Sequence, residues 1–194
     1  MHGPDAGPNR VILSPVQFSL IAQSPRMNIT LQQQYPASLK TLWQVFGNPE
    51  YPHKKYRALG ITGYEVHRFD VSEREIDLDM TRTLSIPADR IPAFVQKFLH
   101  PEQDLRYISR WRMLTDTSAA FDLSIVPPGL PVKITATGTL TEKDGNQSTM
   151  ALSFDIAAHV PFLGGKIEQL IAQQLEKSFV SDHAFTLRYL AENA

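Results

Sequence analysis

The sequence has no cysteine. A disulfide framework, a thiolate nucleophile and a sulfur-ligated metal site are thereby excluded, and a cytoplasmic setting fits best. Charge of one sign is lacking too. Against 19 Lys and Arg stand 20 Asp and Glu, for a formal charge of −1, which gives no electrostatic case for nucleic acid as a partner. A long apolar run is also missing. Residues 11–22 are apolar but interrupted by Ser14-Pro15, too short and too broken for stable membrane insertion. A signal peptide would need a cleaner apolar segment, a charged start and a small-residue cleavage site, and here Arg10 alone supplies positive charge. No internal repeat or low-complexity run occurs in the remainder.

What is there has the composition of an ordinary globular domain. With 194 residues, 42% hydrophobic and 20% charged, the chain can bury a substantial core. Met1 to Pro8 is Gly- and Pro-rich, so residues 1–26 are expected to form a disordered or loosely ordered extension, and residues 27–194 the folded domain. Met27 is then the candidate natural start, because alternating patterning begins with Asn28-Ile29-Thr30-Leu31.

The domain is organised around its last helix. After the turn Val160-Pro161-Phe162-Leu163-Gly164-Gly165, Leu163, Ile167, Leu170, Ile171, Leu175 and Phe179 recur at helical spacing. This predicts a helix over residues 161–191, on the order of 40 Å long. Ahead of it the pattern predicts a strand at 29–35, a helix at 39–46 stopped by Gly47-Asn48-Pro49, and a short polar and aromatic helix at 50–59. Six strands follow, at 61–71, 74–86, 105–114, 119–125, 132–141 and 150–156. An apolar helical segment at 91–99 interrupts them. Ile76, Leu78, Met80 and Leu84 alternate with Glu75, Asp77, Asp79, Thr81 and Thr83. One apolar and one wet face is the habit of an antiparallel sheet.

Strand, helix, helix, six antiparallel strands and a long helix is an order that resembles the START-like, helix-grip (SRPBCC) superfamily over residues 27–191. Within it, Met27-Asn28-Ile29 leading to Tyr35-Pro36-Ala37-Ser38 is similar to a bacterial family known as domain of unknown function 2505. So is Val160-Pro161-Phe162-Leu163-Gly164-Gly165-Lys166-Ile167-Glu168. The resemblance implies an α+β helix-grip fold, in which a curved antiparallel sheet of about seven strands wraps a C-terminal helix around an internal cavity. It brings no catalytic residues, because the family has no assigned chemistry.

The residues themselves offer little catalytic machinery. Six histidines are scattered, without i, i+4 spacing or a His-Glu-x-x-His run, so no metal is expected. Neither a Gly-x-Ser-x-Gly elbow nor a phosphate-cradling glycine loop is present, and no cofactor is expected. Gly164-Gly165-Lys166 could attract an anion at a helix start, but it reads better as a hinge and cap. Glu75, Asp77 and Asp79 on one strand and Arg106, Arg110 and Arg112 on another predict cross-strand charge pairing on the outer surface, not catalytic carboxylates.

Arg82 breaks its pattern by falling in phase with Ile76, Leu78, Met80 and Leu84. A cation on the apolar face needs partners. Gln174, Ser178 and Asp182 continue the stripe of Ile167, Leu170 and Ile171, so an Arg82–Asp182 ion pair is expected. The alternative is a polar end to an apolar cavity, anchoring a headgroup or carboxylate. The expected cavity wall comprises Met80, Tyr107, Trp111, Phe121, Ile134, Phe154 and Ile171. Arg82, Gln174, Ser178 and Asp182 form its polar end, and Phe94 and Phe98 a lid at its mouth.

The function expected is binding of a small hydrophobic or amphipathic, lipid-like molecule, for transport or sequestration. The alternative is a cofactor-independent enzyme, cyclase- or hydrolase-like, in the same cavity. It requires titratable groups converging inside, for which Arg82, Asp182, His67 and Glu65 are the candidates, and inward placement of His67 with Glu65 would favour it. No exposed apolar patch marks a protein partner.

Overall fold

Alternation along each strand and the caps of each helix set the architecture. The computed structural model describes residues 26–85, 93, 96, 102–127 and 129–193. The extension before residue 26, Phe94 and Phe98 lie outside the described residues. In chain order the elements are β1 (Met27–Tyr35), α1 (Leu39–Phe46), α2 (Glu50–Ala58), β2 (Tyr64–Val71), β3 (Glu75–Ser85), β4 (Glu102–Thr115), β5 (Ser118–Val126), β6 (Val132–Glu142), β7 (Ser148–Ala158) and α3 (Gly164–Glu192).

The seven strands form one antiparallel sheet in the order β1-β7-β6-β5-β4-β3-β2. Register breaks between Val66 and Arg68 and between Met113 and Thr115 add local bend and twist, as bulges do. α1 starts where the Ser38 hydroxyl accepts the Thr41 N–H at 3.1 Å, satisfying one of the orphan donors of the first turn. Its Leu39 N–H is held by the Glu142 carboxylate at 2.7 Å, which ties the helix to the end of β6.

α3 packs against β1, β7 and α2, so the sheet encloses it asymmetrically. At its start, a Cβ on Gly164 would come 2.5 Å from the Ala158 carbonyl oxygen; only glycine allows so close a seat on β7. Glu168, 1% exposed, accepts the Ala158 N–H at 2.9 Å. The far end is buried as well, through Phe185, Thr186, Tyr189 and Leu190. The apolar stripe therefore does not end at Phe179, where the sequence pattern leaves it, but resumes at Phe185 and Tyr189. Tyr51 of α2 packs against Phe185 and Tyr189 at 5.6 and 5.3 Å between ring centroids, creating a second apolar seat. Between the two seats, Leu175, Ser178, Phe179 and Asp182 are only half-buried.

The outer face carries the expected charge ladder. Arg106 grips Asp79 through two bonds of 2.9 and 2.7 Å, and Arg110 grips Asp77 through two of 2.6 and 3.2 Å. Arg112 lies opposite Glu75 in register but turns to Asp122 on β5.

Candidate functional site

Under the middle of α3 the sheet does not close, leaving a cavity of about 240 Å³. β1, β2, β3, β4, β5, β7 and all three helices contribute to its wall, while β6 does not. The physical reason is local: β6 turns Ile134, Ala136 and Leu140 into fully packed core. Phe46 stacks on Trp111 at 5.5 Å and Trp111 meets Phe121 at 4.4 Å, giving one aromatic side to the space.

Of the residues expected in the site, Met80, Tyr107, Trp111, Phe121 and Phe154 line the cavity, together with the polar Arg82, Ser178 and Asp182. Ile134 and Ile171 do not. Ile134 is consumed by core packing, and Ile171 packs between the main core and the small cluster at the helix start. Gln174 is exposed. One residue is about 100° of helix turn, and this step carries Gln174 off the face that Leu175 presents to the cavity.

The Arg82–Asp182 pair does not form. Asp182 is bound instead by Lys55, Nζ to Oδ2 3.1 Å. Arg82 lies with its guanidinium 5.8 Å over the Tyr107 ring, and among the described residues its buried Nε has no hydrogen-bond partner. Sequence reasoning passed over Lys55 because α2 looks solvated. Its signal was the spacing of Tyr51, Pro52, Lys55 and Tyr56, which puts all four on one helix face, and all four line the cavity.

Around this pair runs a set of short polar contacts. Thr186 donates its hydroxyl to the Asp182 carbonyl at 2.8 Å, so Tyr51, 2.7 Å away, is the donor to Thr186. On β1, Tyr35 donates to Gln33, whose amide reaches the Phe179 carbonyl at 2.6 Å. Tyr56 donates to the Met80 sulfur at 3.2 Å. Burial pushes the phenols of Tyr35, Tyr51 and Tyr107 upward, which favours their neutral forms. For Lys55 burial works against the charge, but the Asp182 carboxylate leads the opposing causes and the ammonium is held above its ordinary range.

Glu65 and His67 lie on the outer face, Glu65 77% exposed, and His67 bonds there to Thr81 at 2.7 Å. They take no part in the cavity. Among the described residues no group of His, Asp and Glu could hold a metal ion, and no helix is long and apolar enough to cross a membrane.

A family model described as protein of unknown function (DUF2505) matches residues 30–190. The chain belongs to that family. An uncharacterised protein of Mycobacterium tuberculosis (strain H37Rv) is 24% identical to this DUF2505 chain over 109 residues, 56% of the chain and 63% of the relative. A Mycobacterium bovis protein, also uncharacterised, matches equally. The chain thus spans less than two thirds of the length of the curated relatives it matches. Among solved structures, the ZhuI aromatase/cyclase of Streptomyces sp. R1128 superposes with a TM-score of 0.53 at 10% identity, over 85% of this chain and 93% of that one. Norcoclaurine synthase of Thalictrum flavum, in complex with dopamine and hydroxybenzaldehyde, gives 0.50 at 14% identity, over 93% and 98%. An uncharacterised Rhizobium leguminosarum protein gives 0.51 at 8% identity, over 85% and 97%. At such identities the likeness is one of fold, and that fold is the START-like helix-grip.

Proposed function

We propose that this DUF2505 protein binds a small hydrophobic or amphipathic molecule in the cavity under α3, to carry or sequester it. One observation carries the reading. Tyr107 and Trp111 point inward from β4 and line the cavity, yet remain only half-buried, so among the described residues part of each ring is left facing open space. Inward apolar surface left without a partner is costly, and a ligand of matching size removes that cost. The aromatic ligands in the norcoclaurine synthase complex support a molecule of this general kind. A cytoplasmic site of action belongs to the same proposal, from the absence of cysteine.

Native mass spectrometry of gently purified protein tests it. A reproducible co-purified mass, released on denaturation, is the expected result. Ligand-free protein that also refuses apolar probes would end the reading. The second reading, a cofactor-independent enzyme, is favoured by one feature: Lys55 and Asp182 bring an ammonium and a carboxylate to the cavity wall. Incubating the recovered molecule with fresh protein separates the two. A binder returns it unchanged, and an enzyme returns a different mass.

A further inference from the structure

The charges facing the cavity do not balance. Among the described residues, Lys55 and Arg82 are its cations and Asp182 its one carboxylate. Asp182 is engaged by Lys55 at 3.1 Å, which leaves Arg82 as the unmatched charge. The acidic side chains of the neighbouring strands cannot serve, because they project from the opposite face: Asp79 is held by Arg106, and Asp104 accepts from the Thr83 hydroxyl at 2.7 Å. The Tyr107 ring beneath the guanidinium offers a face, which stabilises a cation modestly and accepts no directed N–H bond from Nε. Nε is buried and, among the described residues, unpartnered. Leaving a buried donor unmade costs the fold more than an ordinary hydrogen bond returns.

A second orphan lies beside it. Gln103 Oε1 is also buried without a partner. In the β3–β4 register Arg82 faces Leu105 and Gln103 faces Leu84, so Arg82 and Gln103 are diagonal neighbours on one face of the sheet. That end of the sheet therefore holds a donor and an acceptor that the protein leaves unmatched.

We propose that the occupant of the cavity is a monoanionic amphiphile, with an apolar, ring-bearing body against Trp111 and Phe121 and its acidic group, a carboxylate or sulfonate, on Arg82. The inference rests on the ligand-binding reading above and adds the ligand's charge to it. One negative charge neutralises the wall. A dianion would leave a net charge enclosed, and a neutral molecule would leave the guanidinium desolvated and unpaired.

A matched pair of fluorescent probes tests this: anilinonaphthalene sulfonate, a monoanion, and its uncharged parent N-phenylnaphthylamine. Wild type should bind the sulfonate about tenfold or more tightly than the parent, the size of a charge-assisted hydrogen bond. Arg82→Met should erase that preference, weakening the sulfonate and not the parent, and Arg82→Lys should keep part of it. Ser109→Phe, which fills the cavity, should weaken both probes together and so place them there. Equal binding of the two probes by wild type overturns the inference without needing any variant, and leaves the cavity reading standing. So does a folded Arg82→Met protein, verified by its melt, that keeps the sulfonate preference. If wild type binds neither probe, the cavity reading falls first, and this one with it.

Discussion

Lys55 and Asp182 are 127 residues apart in sequence and 3.1 Å apart in space, and their contact fastens α2 to α3 at the edge of the cavity. Lys55 is the more enclosed partner, its side chain 16% exposed against 39% for Asp182. Removing the carboxylate alone strands an ammonium in low dielectric, whereas removing both charges strands nothing. Asp182→Asn is therefore expected to destabilise the protein by about 1–3 kcal/mol, below the range for a fully buried pair because Asp182 is partly wet. Lys55→Met with Asp182→Leu should recover most of the loss. Denaturant unfolding of Lys55→Met, Asp182→Leu and the double variant closes the cycle, and strictly additive losses would show that the contact contributes nothing of its own.

The buried phenols predict an alkaline limit. Tyr35, Tyr51 and Tyr107 are raised by burial, so folding favours their neutral forms. A raised group contributes its full share below the unfolded value, near pH 10 for tyrosine, and loses it as pH climbs through the folded value. The raised Lys55 ammonium acts in the same direction. Stability should thus be flat with respect to these groups up to about pH 10 and fall above it. In an ultraviolet titration, 3 of the 6 tyrosines should ionise only together with the loss of near-ultraviolet dichroism. Smooth ionisation of all of them in the folded protein would contradict this.

Glu168 presents a different test, because its carboxylate serves a backbone donor. It accepts the Ala158 N–H at 2.9 Å in a fully buried position. Glu168→Gln keeps an acceptor in place and should be tolerated. Glu168→Ala leaves the Ala158 donor orphaned and opens a void, for an expected loss of about 1–3 kcal/mol, with faster hydrogen exchange at Ala158 as the local reporter. Equal effects of the two substitutions would mean that the bond is not what holds the helix start.

Much of this was legible in the chain. Period-two alternation placed the strands other than β2, because one face is core and the other water, and that asymmetry is written into single residues. In β2 the register break between Val66 and Arg68 interrupts the period. The same alternation put Arg82 inside and the Asp77–Arg110 and Asp79–Arg106 pairs outside. What was not legible depends on where separate elements meet. Asp182 had two inward cations to choose from, and only the placement of α2 on α3 selects Lys55 over Arg82. The helix itself hid its second seat, since Ser178, Asp182 and Thr186 share a face with Leu175 and Phe179 and dilute the apolar stripe just before Phe185 and Tyr189 restore it. Gln174 fell the other way: it sits one position before Leu175, and that single step is enough to turn it to solvent.

The two seats of α3 also determine how the cavity can breathe. A helix fixed at one end swings like a door, but α3 rests on β7 through Gly164 and Glu168 and on α2 through Phe185 and Tyr189. Mechanically it is a beam on two supports, with the Gln33 amide on the Phe179 carbonyl, His183 on the Gln34 carbonyl and Lys55 on Asp182 as struts between them. A beam accommodates a load by bowing between its supports, so occupants of different girth would be met by flexing the stretch from Leu175 to Asp182 while both bearings stay in place.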